Sequence, residues 1–509
     1  MNTHATILPI LVPFAAALLQ LAFTRRGLAV QRNIGLVAAL LGIAAAGWLV
    51  QLADGGALLV YALGGWAAPF GIVLAVDRLA AAMALLATLL ALPALLYASA
   101  AFDGRGRHFH PLFQLQMVGI QGAFLTGDLF NLFVFFEVML LASYALLAHG
   151  GGRQRTRAGV AYVVLNLAGS ALFLIALGLI YGTLGTLNLA DAVRQLQTLG
   201  NAAAPARLAG ALLVTVFLLK AALLPLSFWL PQAYSAAGAP VATLFVIMTK
   251  VGVVAILRVQ AVMFAPLPLM ADLLDGWLVA LALATVLLAA LGTLAATSLR
   301  ALAAWLVLAS AGTLLVAAGF PQAQATSAAL FYLIHSTFAG ATFFLLAALI
   351  ARRRGASADL LRPGPTFHAP WLACAFFICA ASAAGLPPLS GFLGKLMLLE
   401  ALHETAAGTA IWSVLLTSGF LIMISLARNG SRLFWDHMPD LPPYSALPAG
   451  WRRVTAAALL VAAAPLLVLF AGPVADYSAR AAAQLYDHGA YIDAVLGAEQ
   501  DAIAREKRP

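Results

Sequence analysis

Charged residues are scarce in this chain of 509 residues, where Asp, Glu, Lys and Arg together make up 9%. Soluble globular proteins carry about 25% charged residues, so the composition excludes a water-soluble surface at this length. Hydrophobic residues make up 63% of the chain. They form runs of Leu, Ala, Val and Ile of about 20 residues, the length that crosses a bilayer as a helix. The runs are continuous rather than alternating, which favours helices over barrel strands. The composition therefore predicts an all-α polytopic membrane protein.

The sequence has little or nothing of the motifs that mark cofactor and metal sites. Its two cysteines, Cys374 and Cys379, lie in one apolar segment at a spacing that matches no zinc or redox motif. No phosphate-binding glycine loop, haem motif or nucleophile elbow is present. We therefore expect no cofactor, no metal and no enzymatic activity, and the energy must come from an ion gradient or a partner. The net charge of +9 lies in short connections rather than in a patch with aromatics, which argues against nucleic-acid binding.

About 14 apolar segments are expected to span the membrane. Their approximate centres are Ala15, Leu41, Leu86, Val118, Val138, Phe173, Val216, Val253, Val286, Val307, Phe343, Phe376, Ile422 and Leu459. The first segment lacks a basic leader and a cleavage site, so we interpret it as a membrane helix rather than a removed signal. Residues 1–474 are expected to form a single transmembrane domain. The more polar residues 475–509 are expected to form a loosely ordered tail.

Arginine is concentrated in every second connection. The residues concerned are Arg25, Arg26 and Arg32; Arg105 and Arg107; Arg153, Arg155 and Arg157; Arg300; Arg352, Arg353, Arg354 and Arg362; and Arg428, Arg432, Arg452 and Arg453. Cytoplasmic connections of membrane proteins carry the excess of positive charge. The alternation therefore predicts a bacterial inner membrane protein with both termini on the outer, periplasmic side.

Lysine and glutamate are rare, and their positions are informative. Of 28 basic residues only four are lysines, and three of these, Lys220, Lys250 and Lys395, lie inside apolar segments. A buried lysine can release its proton, whereas arginine stays charged. Glu137 is the one glutamate of five in the middle of a segment, where a charge needs a partner in the bundle interior. Lys220 is the expected partner of Glu137. We predict that these four residues carry protons; static ion pairs that hold helices together are the alternative.

Five further charged or titratable positions carry weaker signals. His335, at the start of an apolar segment, is a candidate proton carrier because histidine titrates near neutral pH. A hydrogen-bonding group between helices is the less favoured alternative. Arg258 lies near a segment end, with a functional and an interfacial interpretation evenly balanced. The pair Asp77 and Arg78 is expected to anchor a helix end, and Asp128 to cap a helix.

Prolines interrupt two apolar segments, each close to one of the lysines. Pro225 and Pro231 lie in the first, and Pro387 and Pro388 lie in the second. Proline removes a helix hydrogen bond, and in a membrane such a break is tolerated where protein or a water-filled cavity covers it. A pair of broken helices in corresponding halves of a chain often indicates a transport site. Two ordinary proline kinks are the alternative.

Four stretches carry a family resemblance: residues 126–137, 220–240, 248–258 and 385–395. Together they resemble the antiporter-like subunits of respiratory complex I and of the Mrp (also called Pha) cation/proton antiporters. Within this family, the stretch Asp-Leu-Phe-Asn-Leu before Glu137 and residues 166–170 are most similar to the D subunits of the Mrp/Pha antiporters. The resemblance covers most of the chain.

The resemblance implies two inverted five-helix repeats, at about 108–263 and 272–435, each with a broken helix. It implies that Glu137 and Lys220 are a coupled pair, that Lys250 is the central relay lysine and that Lys395 is the terminal lysine. It further implies a secondary transporter subunit, inactive without its partner subunits, in an assembly that exchanges cytoplasmic Na⁺ or K⁺ for external H⁺.

Two positions depart from the family pattern. Many relatives have a lysine where this chain has Ala339, and many have a histidine where it has Ser227. The second half of the proton path is therefore expected to use His335, water and the hydroxyls of Ser336 and Thr337. An alternative function is an antiporter-like proton-pumping subunit of a redox-driven complex, such as an NADH:quinone oxidoreductase or a membrane-bound hydrogenase. A purely structural membrane scaffold is a third.

Overall fold

A computed structural model describes residues 2–66, 68–199, 204–267, 270, 272–365, 368–436 and 450–506. Eleven helices in these ranges are long and apolar enough to cross a membrane. A helix satisfies its own backbone hydrogen bonds, which is why continuous apolar runs adopt this structure in lipid. The expectation of a helical, multi-pass membrane protein is confirmed at this level.

The helices and strands are numbered here in chain order. Their bounds are α1 Leu8–Ala22, α2 Leu28–Asp54, β1 Leu59–Leu63, β2 Ile72–Val76, α3 Arg78–Ala98, α4 Phe109–Leu125, α5 Leu129–Ala148, α6 Arg153–Leu184, α7 Leu189–Leu199, α8 Ala204–Lys220, α9 Trp229–Ala236, α10 Ala239–Arg258, α11 Trp277–Ala295, α12 Leu299–Ala318, α13 Ala323–Arg353, α14 Pro370–Ala384, α15 Ser390–Leu402, α16 Gly408–Phe434, α17 Trp451–Leu469, α18 Ala471–Leu485 and α19 His488–Glu506. A single π-helical turn, Val259–Phe264, extends α10.

Each of the 14 predicted segment centres lies in one of these helices. Three of the helices, α4, α8 and α14, have 17, 17 and 15 residues and are shorter than a full crossing. Two of these three, α8 and α14, end at the proline-containing breaks. The difference between 14 predicted segments and eleven full-length helices therefore arises mainly where proline stops a helix early.

Helix α10 is the centre of the bundle, and its apolar stretch is completely buried. It packs against α13, α8, α3 and α12, so its own side chains contact protein on every side. The outer helices α1, α2, α6, α16 and α17 leave large apolar side chains exposed, as expected for surfaces that face lipid. A charged residue on α10 is thus held in the protein interior, not at the lipid surface.

The two helix breaks occur at three of the four predicted prolines. Between α8 and α9 the backbone passes through Pro225, and the Leu224 amide donates a hydrogen bond to Thr285 Oγ1 at 3.0 Å. Pro387 and Pro388 lie between α14 and α15. Pro231 lies in the first turn of α9, after the break rather than in it. Proline is tolerated there because the first helical amides lack intrahelical partners.

The structure contains a β-hairpin that the sequence analysis did not predict. Strands β1 and β2 pair antiparallel, with Leu59 opposite Val76 and Leu63 opposite Ile72. Both strands are rich in β-branched and aliphatic residues, which suit a pleated surface. The hairpin packs against the helix that ends the chain, α19. The all-helical expectation therefore holds for the membrane part but not for this connection.

The prediction of a loosely ordered C-terminal tail is wrong for residues 475–506, and residues 507–509 lie outside the described part of the chain. Residues 471–485 and 488–506 form α18 and α19, and α18 packs against α13 and α3. Ala481, Ala482 and Leu485 bury one face of α18. At its other end Tyr477 Oη donates to the Arg78 carbonyl at 2.9 Å. The sequence looked polar because only one face of each helix is apolar, and that face finds its partner only in the folded bundle.

A buried ion-pair network fixes the connection between α3 and α4. Asp103, whose side chain is 0% exposed, accepts hydrogen bonds from Arg32 Nε at 2.6 Å and contacts His110 Nε2 at 2.9 Å. Burial alone would raise the pKa of Asp103, but the hydrogen bonds of Arg32 and His110 outweigh this and hold it well below its usual range. The carboxylate is therefore a charged link between α2 and α4.

Asp103→Asn is expected to lower the free energy of unfolding by about 3 kcal/mol, because Arg32 loses its buried counter-charge. Since the pKa of Asp103 is depressed in the folded protein, its contribution is complete above the ordinary carboxyl pKa of about 3.9 and is lost only as the pH falls below it. Thermal unfolding of the full chain at neutral pH measures the effect. Asp54→Asn is the control, because Asp54 is 42% exposed and should contribute less than about 1 kcal/mol.

Candidate functional site: buried polar residues along the bundle

Glu137 lies near the middle of α5 and is partly buried. Its Oε1 accepts a hydrogen bond from Ser170 Oγ on α6. The start of α5 is fixed by Asp128, whose side chain accepts from the Asn131 amide at 2.7 Å, so the predicted capping role of Asp128 is confirmed. The capped helix carries Glu137 to the interface with α6.

Lys220 is the last residue of α8 and is 4% exposed. Its Nζ donates to Asn166 Oδ1 at 3.2 Å and to the Asn166 carbonyl at 3.3 Å. Among the ion pairs of the described residues, none joins Lys220 to Glu137 directly. Their charges still act on each other across the interface. The expected pair is therefore bridged rather than in direct contact.

The bridge is one face of α6. Asn166 and Ser170 are four residues apart, so they lie one above the other on the helix surface. Asn166 binds Lys220, and Ser170 binds Glu137. Sequence reasoning missed both roles, although two polar residues at this spacing in an apolar helix are a detectable signal.

Lys250 lies at the middle of α10 and is completely buried. Its Nζ donates to Ser310 Oγ on α12 at 2.6 Å, and Ser310 in turn donates to the Val307 carbonyl at 2.7 Å. No carboxylate forms an ion pair with Lys250 within the described part of the chain. The Lys250 ammonium is therefore held by a hydroxyl group rather than by a counter-charge.

Gly252 brings α10 close to the first helix break. A Cβ atom at this position would lie 2.9 Å from the Ala221 amide nitrogen and 3.2 Å from the Lys220 carbonyl carbon. Only a residue without a side chain allows this approach. As a result the segment that carries Lys250 packs directly on the end of the helix that carries Lys220.

A cavity of about 30 Å³ continues the polar series beyond Ser310. Its lining includes the polar residues Ser310, His335, Ser336, Lys395 and Ser418. A polar cavity of this size has room for at least one water molecule, which could bond several of these groups. Ala339, where many relatives have lysine, also lines the cavity, so the missing amine leaves space beside the polar groups.

His335 is well inside α13, not near the start of a segment as the sequence suggested. It is 4% exposed, and its Nδ1 lies 3.0 Å from Ser390 Oγ at the start of α15. The histidine thereby connects the cavity to the second helix break. Ser227, in the first break, is buried, and its Oγ has no hydrogen-bond partner among the described residues.

Lys395 lies on α15 and reaches the end of α14. Its Nζ donates to the Ala384 carbonyl at 2.9 Å and to the Ala383 carbonyl at 3.3 Å. The last carbonyls of a helix have no partner within it, and this end carries partial negative charge. The second break thus supplies the oxygen atoms that hold the Lys395 ammonium.

The remaining candidates form structural contacts away from this series. Arg258 donates to Asp77 Oδ1 at 2.9 Å, and both side chains are at most 8% exposed. Asp77 also caps α3 by accepting from the Ala80 amide at 2.7 Å, as expected for an anchor. Arg78 pairs with Asp54. The interfacial interpretation of Arg258 is wrong, because its guanidinium is paired inside the protein.

Comparisons with known proteins identify the family of the chain. A sequence profile described as the membrane part of NADH:quinone oxidoreductases and Mrp antiporters matches residues 126–422. The probable K⁺/H⁺ antiporter D subunit of Rhizobium meliloti (strain 1021) is 40% identical, over 97% of this chain and 98% of that protein. The Na⁺/H⁺ antiporter D subunit of Bacillus subtilis (strain 168) is 35% identical, over 96% and 99% of the two chains.

A solved structure gives the same result for the fold. A chain of the Mrp complex from Dietzia sp. DQ12-45-1b superposes with a TM-score of 0.86 at 29% identity, covering 97% of this chain and 99% of that one. The resemblance inferred from the four sequence stretches is confirmed. This chain belongs to the NADH:quinone oxidoreductase/Mrp antiporter family of membrane proteins.

Proposed function

We propose that the chain is the proton-translocating subunit of a multi-subunit monovalent cation/proton antiporter, which exchanges cytoplasmic Na⁺ or K⁺ for external H⁺. The observation that carries the proposal is the series of titratable groups from Glu137 to Lys395, of which Lys220, Lys250 and His335 are buried and the two end members are partly buried. It occurs in a chain whose relatives are named as D subunits of Na⁺/H⁺ or K⁺/H⁺ antiporters. A protein that only held helices together would gain nothing from lysines without counter-charges.

The proton path runs along the bundle in two halves. In the first half, α6 links Glu137 to Lys220 through Ser170 and Asn166. Whether Glu137 is protonated sets the electrostatic field at Lys220. In the second, Lys250 passes a proton by way of Ser310 and the water-sized cavity to His335 and Lys395. The two halves are in contact at Gly252, where α10 packs closely on the end of α8.

Two inverted five-helix repeats, at about 108–263 and 272–435, fit this division. Each half contains a helix that stops early, α8 or α14, followed by a second short helix. Each stop places a lysine at a helix end, Lys220 as the last residue of α8 and Lys395 on the last carbonyls of α14. With the three short helices counted, 14 segments cross the membrane. Both termini then lie on the periplasmic side, and the arginine-rich helix ends face the cytoplasm.

Exchange by the whole assembly in membrane vesicles tests the proposal. Vesicles with the wild-type assembly should show proton movement on addition of Na⁺ or K⁺, without NADH or any other electron donor. The preferred cation follows from which of the two salts drives exchange. Absence of exchange with either cation, together with proton pumping on addition of an electron donor, would favour a redox-driven complex instead.

Lys250→Met should lower the exchange rate by about a hundredfold, the effect typical of removing a proton-transfer group. Folding should be little changed, since an apolar side chain of similar length removes a buried charge and leaves no unpaired partner. Ser310 keeps its hydrogen bond to the Val307 carbonyl. Exchange by intact assemblies in vesicles is the measurement, and Ser310→Ala, which keeps the amine, should have a smaller effect. Wild-type rates in the Met variant would remove Lys250 from the path.

A further inference from the structure

Five arginines from five different parts of the chain line one cavity of about 270 Å³ at one end of the bundle. They are Arg105, Arg155, Arg300, Arg352 and Arg453. Each belongs to a different one of the basic connections that the sequence shows. The positive-inside rule requires that such connections be basic, but it does not require that they meet. Their convergence on one cavity therefore needs a separate cause.

The positive charge in this arginine cavity is poorly compensated by the protein. Asp359 is the one acidic residue in its described lining. Arg300 holds this carboxylate with two hydrogen bonds, from Nε at 2.9 Å and from the second guanidinium nitrogen at 3.0 Å. Of the other four arginines, Arg105, Arg155 and Arg352 form no ion pair with a carboxylate among the described residues. Like charges in a partly buried space repel each other strongly, so the arrangement is unfavourable unless an anion enters.

Hydrogen-bond donors are also left over. Arg155 donates to the His149 and Ala236 carbonyls, at 2.8 and 3.2 Å, which fixes its position. Arg352 has a buried Nε without a hydrogen-bond partner among the described residues. The guanidinium carbon of Arg105 lies 5.5 Å from the centroid of the Phe102 ring. This contact uses the face of the guanidinium and not the N–H groups at its edge. A buried donor without a partner is costly, and an anion in the cavity would satisfy it.

The start of α10 forms another part of the wall. Gly238, Ala239 and Pro240 line the cavity, and no side chain caps the first turn of α10. Pro240 has no amide hydrogen and the Val241 amide donates to the Gly238 carbonyl at 2.9 Å, so the contribution of this helix start is the partial positive charge of its dipole. The start of α12, which carries Arg300, adds no free amide, because Asp359 and Ser298 accept from its first-turn amides. The backbone thus adds to the field of the arginines.

We propose that this arginine cavity binds a phosphate-bearing anion, and that the anion clamps together the helix ends that supply the arginines. A phosphate group has several acceptor oxygens and up to two negative charges, which suits several guanidinium groups better than a single carboxylate does. The phosphate could belong to the headgroup of an anionic lipid at the membrane surface or to inorganic phosphate in solution. An acidic segment of a partner subunit is the competing occupant.

The test compares the full-length chain in its purified assembly with Arg105→Gln and Arg352→Gln variants. Arg353→Gln is the matched control, because it removes the same charge one residue away from a position that lines the cavity. Native mass spectrometry counts phospholipid that stays bound. Thermal unfolding with inorganic phosphate, against chloride at equal ionic strength, measures binding of the free anion. Both wild-type measurements are informative even if one variant fails to fold.

Retained anionic lipid that falls about tenfold in Arg105→Gln and Arg352→Gln but not in Arg353→Gln would support the headgroup as the source. A phosphate-dependent rise in the unfolding temperature, lost in the same two variants, would support the free anion. Wild-type protein that retains no anionic lipid and shows no response to phosphate would overturn the proposal. So would crosslinking of a photoreactive group at position 352 to an acidic segment of another subunit.

Discussion

Glu137→Gln is expected to lower cation/proton exchange by about a hundredfold while the assembly stays intact. The amide oxygen can still accept the hydrogen bond from Ser170, so the local structure should be kept. What is lost is the site that takes up and releases a proton, and with it the negative charge that acts on Lys220. The measurement is Na⁺/H⁺ and K⁺/H⁺ exchange in vesicles, with subunit content checked by gel.

Two further variants make this result specific. Glu400→Gln is the control, because Glu400 is an exposed glutamate on α15 and should leave the rate unchanged. Ser170→Ala keeps the carboxylate but removes its hydrogen-bond donor, so we expect an intermediate loss. If exchange by Glu137→Gln equals that of the wild type, Glu137 has only a structural role and the scaffold interpretation gains support.

Gly391→Ala is expected to disrupt the second helix break, with a loss of at least about 3 kcal/mol in the free energy of unfolding. A Cβ atom at position 391 would lie 1.8 Å from the Ser382 carbonyl oxygen and 2.8 Å from His335 Nε2. The first of these neighbours is backbone, so relief requires α14 and α15 to separate. Thermal unfolding of the assembly measures the loss, and exchange should fall with it because His335 and Ser390 move apart.

Gly419→Ala is the control for this prediction. Gly419 lies on α16 near the same lysine, but a Cβ atom there would meet its nearest neighbour, the Ala384 carbonyl oxygen, at 3.5 Å. This is an ordinary contact, and alanine favours a helix over glycine by about 1 kcal/mol. Stability should therefore be unchanged or slightly higher. Equal stability of the Gly391 and Gly419 variants would show that the two broken-helix segments are not packed as the structure has them.

The membrane helices and the rare titratable residues could be predicted because both signals are local. An apolar run satisfies its own hydrogen bonds as a helix wherever it later packs, and each of the 14 predicted centres lies in a helix. Lys220, Lys250 and Lys395 stand out because a charge in an apolar run is costly whatever surrounds it. The prolines likewise stop a helix by their own covalent structure.

The partners of these residues could not be predicted, because they come from distant parts of the chain. Lys220 binds Asn166, 54 residues away, and Lys250 binds Ser310, 60 residues away. Serine and asparagine are common in membrane helices, so the sequence shows that these positions are polar but not which lysine each of them contacts. Close approaches such as that at Gly252 depend on which helices are neighbours.

Residue order and composition are enough to specify a helical membrane protein with titratable residues inside its spans, because the cost of placing polar groups in lipid acts on each segment separately. The folded bundle was needed to reveal that α6 bridges Glu137 and Lys220, that α18 and α19 are ordered, and that five arginines meet in one cavity. Helix packing in a membrane depends on the shapes of complementary surfaces, and these surfaces exist only when the segments have been brought together.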